Sequence, residues 1–167
     1  YSKEQKEDIC NRYPNTEDLF KNIVGAEEFI NNKERYCIWL KDVEPSIYKS
    51  NSIIMEAIKN VKDLRENSNR EATRKLAITP YLFGEIRQPK TDYLLVPSTS
   101  SERRRYIPIG FFDSNTISSN ANLVIPNATL YNFGVLTSNV HMAWVRTVAG
   151  RLKSDYRYSA KIVYNNF

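Results

Sequence analysis

The chain holds only two cysteines, Cys10 and Cys37, and one histidine, His141, in 167 residues. Two thiols cannot build a disulfide framework, and with one imidazole they fall short of any zinc-ligand pattern. Such cysteine usage suits a reducing cytoplasm. No apolar run approaches the ~18 residues needed to span a bilayer, and no secretory leader is visible. A glycine-rich phosphate loop is missing, as is a nucleophile elbow. No carboxylates stand with lysine at nuclease-like spacing, and nothing has the make-up of a methyl-donor site. No catalysis is expected from these residues by themselves.

What is present describes a globular chain. Hydrophobic residues make up 41% and charged residues 26%, a balance that buries a core and does not stay disordered. The length fits one domain, and the opening Tyr1 in place of Met reads as a piece cut from something longer. Net charge is +5, unevenly placed along the chain. Residues 1–84 carry 14 basic and 14 acidic side chains, and residues 85–167 carry 10 and 5. A basic half with interleaved tyrosines suits a polyanion, although a mildly basic surface without a partner gives the same tally.

Residues 1–15 read as a loose helix or an edge, with the domain proper over 16–167. A short helix is expected over residues 16–24, capped by Thr16 and ended by Gly25. Arg35-Tyr-Cys-Ile-Trp-Leu40 reads as a buried strand. From Pro45 to about Glu66 the pattern is helical, with Ile53, Ile54, Ala57, Ile58, Val61 and Leu64 on one apolar stripe. A shorter helix is expected over 67–78. Beyond Pro80, residues 93–96, 106–112 and 123–125 look like short strands, with Pro97, Pro108 and Pro126 at edges or ends. Thr137 or Ser138 caps a helix with Val140, Trp144 and Val148 on its apolar side, and Gly150 serves as a left-handed stop. The expected fold is mixed α/β: N-terminal helices packed on a later, short-stranded sheet.

Chemistry-bearing residues concentrate at the end. From Tyr156 the chain alternates, with Tyr156, Tyr158, Ala160, Ile162 and Tyr164 on one parity and Arg157, Ser159 and Lys161 on the other. An earlier start to the extended stretch would add Lys153 and Asp155 to the wet row beside Arg157. Such a row can read hydrogen-bonding edges, and it is also what an ordinary solvated strand face carries. Arg103, Arg104 and Arg105 follow a Ser/Thr-rich loop, where guanidinium groups suit phosphate oxygens or simply stay solvated. His141 on an apolar helix reads as a packing histidine, Trp39 and Trp144 as core, and Glu85 with Arg87 as a local ion pair.

Together the residues resemble the target-recognition region of MmeI-like, type IIL DNA methyltransferases, single-chain enzymes that both modify and restrict. The likeness runs from about residue 20 to the end. It is carried by Leu76-Ala-Ile-Thr-Pro-Tyr-Leu-Phe-Gly84, Ser101-Glu-Arg-Arg-Arg-Tyr-Ile-Pro-Ile-Gly110 and Ile125-Pro-Asn-Ala-Thr-Leu-Tyr-Asn-Phe-Gly134. It continues through His141-Met-Ala-Trp-Val-Arg146 and Gly150-Arg-Leu-Lys-Ser-Asp-Tyr-Arg-Tyr-Ser159. The resemblance implies a larger parent that uses S-adenosylmethionine to methylate the exocyclic amine of adenine. Its methyltransferase domain and catalytic motif lie outside this stretch. What carries over is recognition of double-stranded DNA, with Lys153, Asp155 and Arg157 as base readers. A protein-interaction or scaffold module is the alternative.

Lysine donates to the two major-groove acceptors of guanine, and aspartate accepts from the amine of cytosine. Lys153 and Asp155, two apart on a strand, are expected to take the two bases of one G·C pair. Arg157, with Ala121 in the preceding loop, is expected at a neighbouring pair. Arg103, Arg104, Arg105, Arg151 and Lys161 are the expected contacts to the DNA backbone.

Overall fold

A computed structural model describes all of Tyr1–Phe167, and the fold is mixed α/β as expected. The chain forms two compact units, one of residues 1–22 and 35–87 and the other of residues 23–34 and 88–167.

The first unit begins with α1 (Lys3–Arg12), where the Ser2 side chain accepts from Gln5 N–H and the Gln5 side chain answers. That reciprocal cap suits so polar a helix. The 16–24 stretch is not one helix. Pro14–Leu19 forms a 3-10 turn, and Phe20–Val24 is strand β1. Gly25 precedes α2 (Ala26–Asn31) and has a negative φ. The first three residues of β1 pair antiparallel with β2 (Tyr36–Ile38), of which only Cys37 is buried. Burial pushes the Cys37 thiol up to about 11, leaving it protonated and unreactive. Trp39 is half-buried, against Phe83.

Helices α3 (Pro45–Tyr48), α4 (Ser52–Glu66) and α5 (Glu71–Lys75) follow. Buried Asn51 starts α4: its Oδ1 accepts from Ile53 and Ile54 N–H at 3.0 and 3.1 Å. Its amide donates to Thr16 Oγ1. Leu19, Leu40, Tyr48 and Ile54 form the core, with Ile58 partly buried. The expected stripe fades along the helix, since Val61 is 37% and Leu64 72% exposed.

The second unit is organised by β3 (Tyr93–Pro97), buried along its whole length. It lies between β5 (Gly110–Phe112) and β7 (Asn122–Pro126), antiparallel to both. Leu94 and Val96 face a cluster with Ile107, Met142, Val145, Tyr156, Tyr158 and Val163. Tyr93 and Leu95 face Val24, Phe29 and Phe112. Gly110 is required here, because a Cβ would come within 2.8 Å of the Phe29 ring. The last two residues of β1 pair in parallel with β6 (Ile117–Ser118), a short strand between the expected strands 106–112 and 123–125.

Helices α6 (Leu130–Leu136) and α7 (Asn139–Val148) complete the unit with a small sheet. Ser138 caps α7, its Oγ accepting from His141 N–H at 3.1 Å. The buried side of α7 is His141, Met142 and Val145; Val140 is 70% exposed. Trp144 is half-buried and donates from Nε1 to the Val163 carbonyl at 2.9 Å. Gly150 is not a left-handed stop, for no glycine has positive φ. It opens strand β8 (Gly150–Leu152) directly.

Candidate nucleic-acid interface

Strand β9 (Asp155–Arg157) is the middle of a three-stranded antiparallel sheet, with β4 (Thr99–Ser100) on one side and β8 on the other. Alternation holds across β9, where Tyr156 and Tyr158 are buried and Arg157 exposed. It does not continue. Ala160–Tyr164 forms a π-helical turn, so Ile162 is 54% exposed and Val163 is fully buried. An alternating sequence alone does not show where extension ends. Here the Ser159 carbonyl collects N–H groups from Val163 and Tyr164, which winds the chain and takes Lys161 out of the strand row.

The expected row is also broken at its start. Leu152 pairs with Asp155 across a two-residue turn of Lys153 and Ser154. Lys153 takes φ 55°, the left-handed conformation that such tight hairpin turns use. It therefore stands at the exposed tip, not on the strand two residues before Asp155. Arg151 fastens the tip by donating to the Ser154 carbonyl at 2.9 Å.

Residues opposite one another in an antiparallel ladder share a face. Arg151 and Tyr156 are opposite, and the Arg151 guanidinium lies 4.0 Å over the tyrosine ring. It also lies 3.8 Å from Glu102. Arg151 nonetheless remains exposed. The other face carries Asp155 and Arg157, with Thr99 and Gly150 flanking Arg157 and Leu152 beside Asp155. Neither Asp155 nor Arg157 has an ion-pair or hydrogen-bond partner for its side chain. Thr99 and Leu152 were not singled out in the sequence. Thr99 reaches this face through a pairing 58 positions away in the chain, and the only local pointer to Leu152 was the turn.

The arginine loop leaves β4 at the hairpin end of this sheet, where the Glu102 contact with Arg151 ties it down. The Arg104 N–H donates to the Ser101 carbonyl, and the Arg103 N–H to Ser101 Oγ. Arg105 leans on the Tyr106 ring at 5.2 Å. The three guanidinium groups make no ion pair. At the opposite end, Ser98 hands the chain from one sheet to the next. Its N–H donates to the Ala121 carbonyl at 2.9 Å, and its carbonyl accepts from Tyr158 N–H at 2.8 Å. Ala121, exposed, is thereby two ladder steps from the residue after Arg157.

His141 is fully buried and shares a 2.9 Å hydrogen bond from Nε2 with the Tyr158 hydroxyl, while Nδ1 has no partner. Burial lowers its pKa and raises that of Tyr158. This is the packing histidine expected, and it braces the residue next to Arg157. Glu85 and Arg87 form their ion pair. No three His, Cys, Asp or Glu side chains lie close enough to hold a metal, and no helix is long and apolar enough to cross a membrane.

Over residues 1–167 the chain matches the family described as MmeI, target recognition domain. It is 46% identical over 160 residues to DNA methyltransferase A of Bacillus subtilis (strain 168), covering 96% of this chain and 18% of that protein. Among solved structures it is similar to the type IIL restriction-modification enzyme MmeI in complex with DNA. That match has a TM-score of 0.97 and 47% identity, over 100% of this chain and 22% of that one. The chain thus spans under a quarter of the length of either relative.

Proposed function

The chain belongs to the family of MmeI target recognition domains, and we propose that it reads the sequence of double-stranded DNA for a larger adenine-specific methyltransferase of the type IIL restriction-modification kind. The observation that carries this is the β9 face. Asp155 and Arg157 project from one side of a short strand, unpaired within the molecule, and the exposed Lys153 tip and the arginine loop lie at its hairpin end. Charges left unpaired are available to a ligand, and a donor with an acceptor is what base edges require.

On this reading Lys153 donates to guanine and Asp155 accepts from cytosine of one pair, Lys153 reaching from the turn along its flexible stem. Arg157 takes a neighbouring pair beside Ala121. Arg103, Arg104, Arg105 and Lys161 address phosphates, which fix register without carrying sequence information. Arg151, exposed beside the hairpin tip, addresses phosphate as well. The parent takes its methyl group from S-adenosylmethionine, bound in its methyltransferase domain, and works in the cytoplasm. The fragment itself performs no catalysis.

A second reading, an interaction or scaffold module, draws on the first unit. There an apolar groove of about 320 Å³ is lined by Ile54, Ile58, Val61, Tyr81 and Phe83 among others. Packing by the rest of the larger chain would fill it without excluding base reading.

The test is to sequence modified bases in cells carrying the complete gene. One adenine-methylated motif containing a G·C pair at the position of Lys153 and Asp155 is expected. Methylation without any motif, or none at all, would leave the scaffold reading standing.

A further inference from the structure

Strand β8 presents a gap and an apolar side chain to the face of Asp155 and Arg157. The gap is Gly150, and nothing inside the molecule asks for glycine there. Its φ is not positive. An added Cβ would find only the Cβ of Arg157 within 4 Å, at 3.9 Å, an ordinary contact. Gly150 is exposed, and glycine weakens a strand, so its usual warrants there are a bulge, a bend or the close approach of something else. The β8–β9 ladder is regular through this residue, with Gly150 opposite Arg157. Two residues on, Leu152 is 55% exposed on the same face, directly across from Asp155. The side chain between them, Arg151, lies on the other face against the Tyr156 ring.

We infer that β8 is the second half of the reading face: Gly150 leaves open the space through which a base edge reaches Arg157, and Leu152 lies against the C5 edge of the pyrimidine whose amine Asp155 accepts. The amine and C5 of cytosine are neighbours in the major groove, and C5 is where thymine carries its methyl group. An apolar side chain beside a carboxylate matches that pair of neighbours. The inference rests on the DNA reading proposed above, and it adds that the domain senses a methyl group at C5.

The experiment uses the complete protein carrying this domain. Thermal unfolding is measured beside binding to three duplexes: the methylated motif's unmodified sequence, a scrambled sequence, and the motif with 5-methylcytosine at the pair of Asp155. Gly150→Ala and Gly150→Val should unfold no earlier than the wild type. Gly150→Val should lose about tenfold or more for the motif and little for the scrambled duplex. The C5 methyl should change wild-type affinity by about fourfold, and Leu152→Ala should erase that difference. A Gly150→Val protein that unfolds early would show an internal need for glycine and overturn the inference. So would one that binds the motif like the wild type, or a wild type indifferent to the C5 methyl while still preferring the motif. A wild type that does not prefer the motif at all would overturn the base-reading proposal itself, and this inference with it.

Discussion

Lys153 and Asp155 show how one backbone angle changes what a pair of side chains can do. Two residues apart on a strand, they would stand about 6–7 Å apart and point the same way. At φ 55°, Lys153 instead projects from the hairpin tip while Asp155 remains on β9. Its donor then depends on the side chain's reach more than on strand geometry. Exchanging the two for Glu and Arg is expected to invert the preferred pair from G·C to C·G, as read by sequencing modified bases. Retention of the original motif would remove both residues from base reading. His141 poses a different question, because its buried Nδ1 has no partner. An imidazolium there would strand a second N–H, and burial lowers the folded-state pKa below the unfolded value of about 6.5. The unfolded chain therefore binds the extra proton more readily. His141 costs nothing above about pH 6.5, and stability falls as pH drops below it. Urea midpoints at pH 7.5 and 5.5 should show this decline, and His141→Gln should flatten it.

At the scale of elements, α4 separates periodicity from burial. The stripe of Ile54, Ile58, Val61 and Leu64 has helical spacing throughout, yet only Ile54 is fully buried. The core of the first unit, built on Leu19, Leu40 and Tyr48, covers only the start of the helix. Ile54→Ala is expected to cost about 2–4 kcal/mol in chemical denaturation. Ile58→Ala, half-buried, should cost about half of that, and Leu64→Ala close to nothing. Equal costs at all three would mean the stripe is covered along its length. The C-terminal stretch makes the complementary point. Its alternation held for Asp155, Tyr156, Arg157 and Tyr158, then gave way to a π-helical turn that no change of composition announces.

For the molecule as a whole, charge is better judged by place than by half. The surplus of residues 85–167 over residues 1–84 does not survive division by compact unit. The first unit has 14 basic and 12 acidic residues, and the second has 10 and 7. What sets the second unit apart is the clustering of unpaired Arg103, Arg104 and Arg105 near the hairpin. Reversing all three to Glu should weaken DNA binding at every sequence and lower the slope of log affinity against log salt by about 3. An unchanged slope would place this loop away from the phosphates.

The sequence by itself determined the mixed α/β class, a cap at Thr137 or Ser138 ahead of α7, and the family resemblance. Each of these depends on local residue chemistry or on motifs that can be matched along the chain. It also singled out Asp155 and Arg157, because period two is a local property of a strand. Tertiary structure alone decided which partners that strand has. Thr99 joins Arg157 through a ladder between distant segments, and Arg151 meets Tyr156 and Glu102 on the opposite face. Ala121 comes near through the backbone of Ser98. Pairing register is a non-local choice, set by which buried faces must meet, and it is register that gathers Thr99, Gly150 and Leu152 onto the face of Asp155 and Arg157.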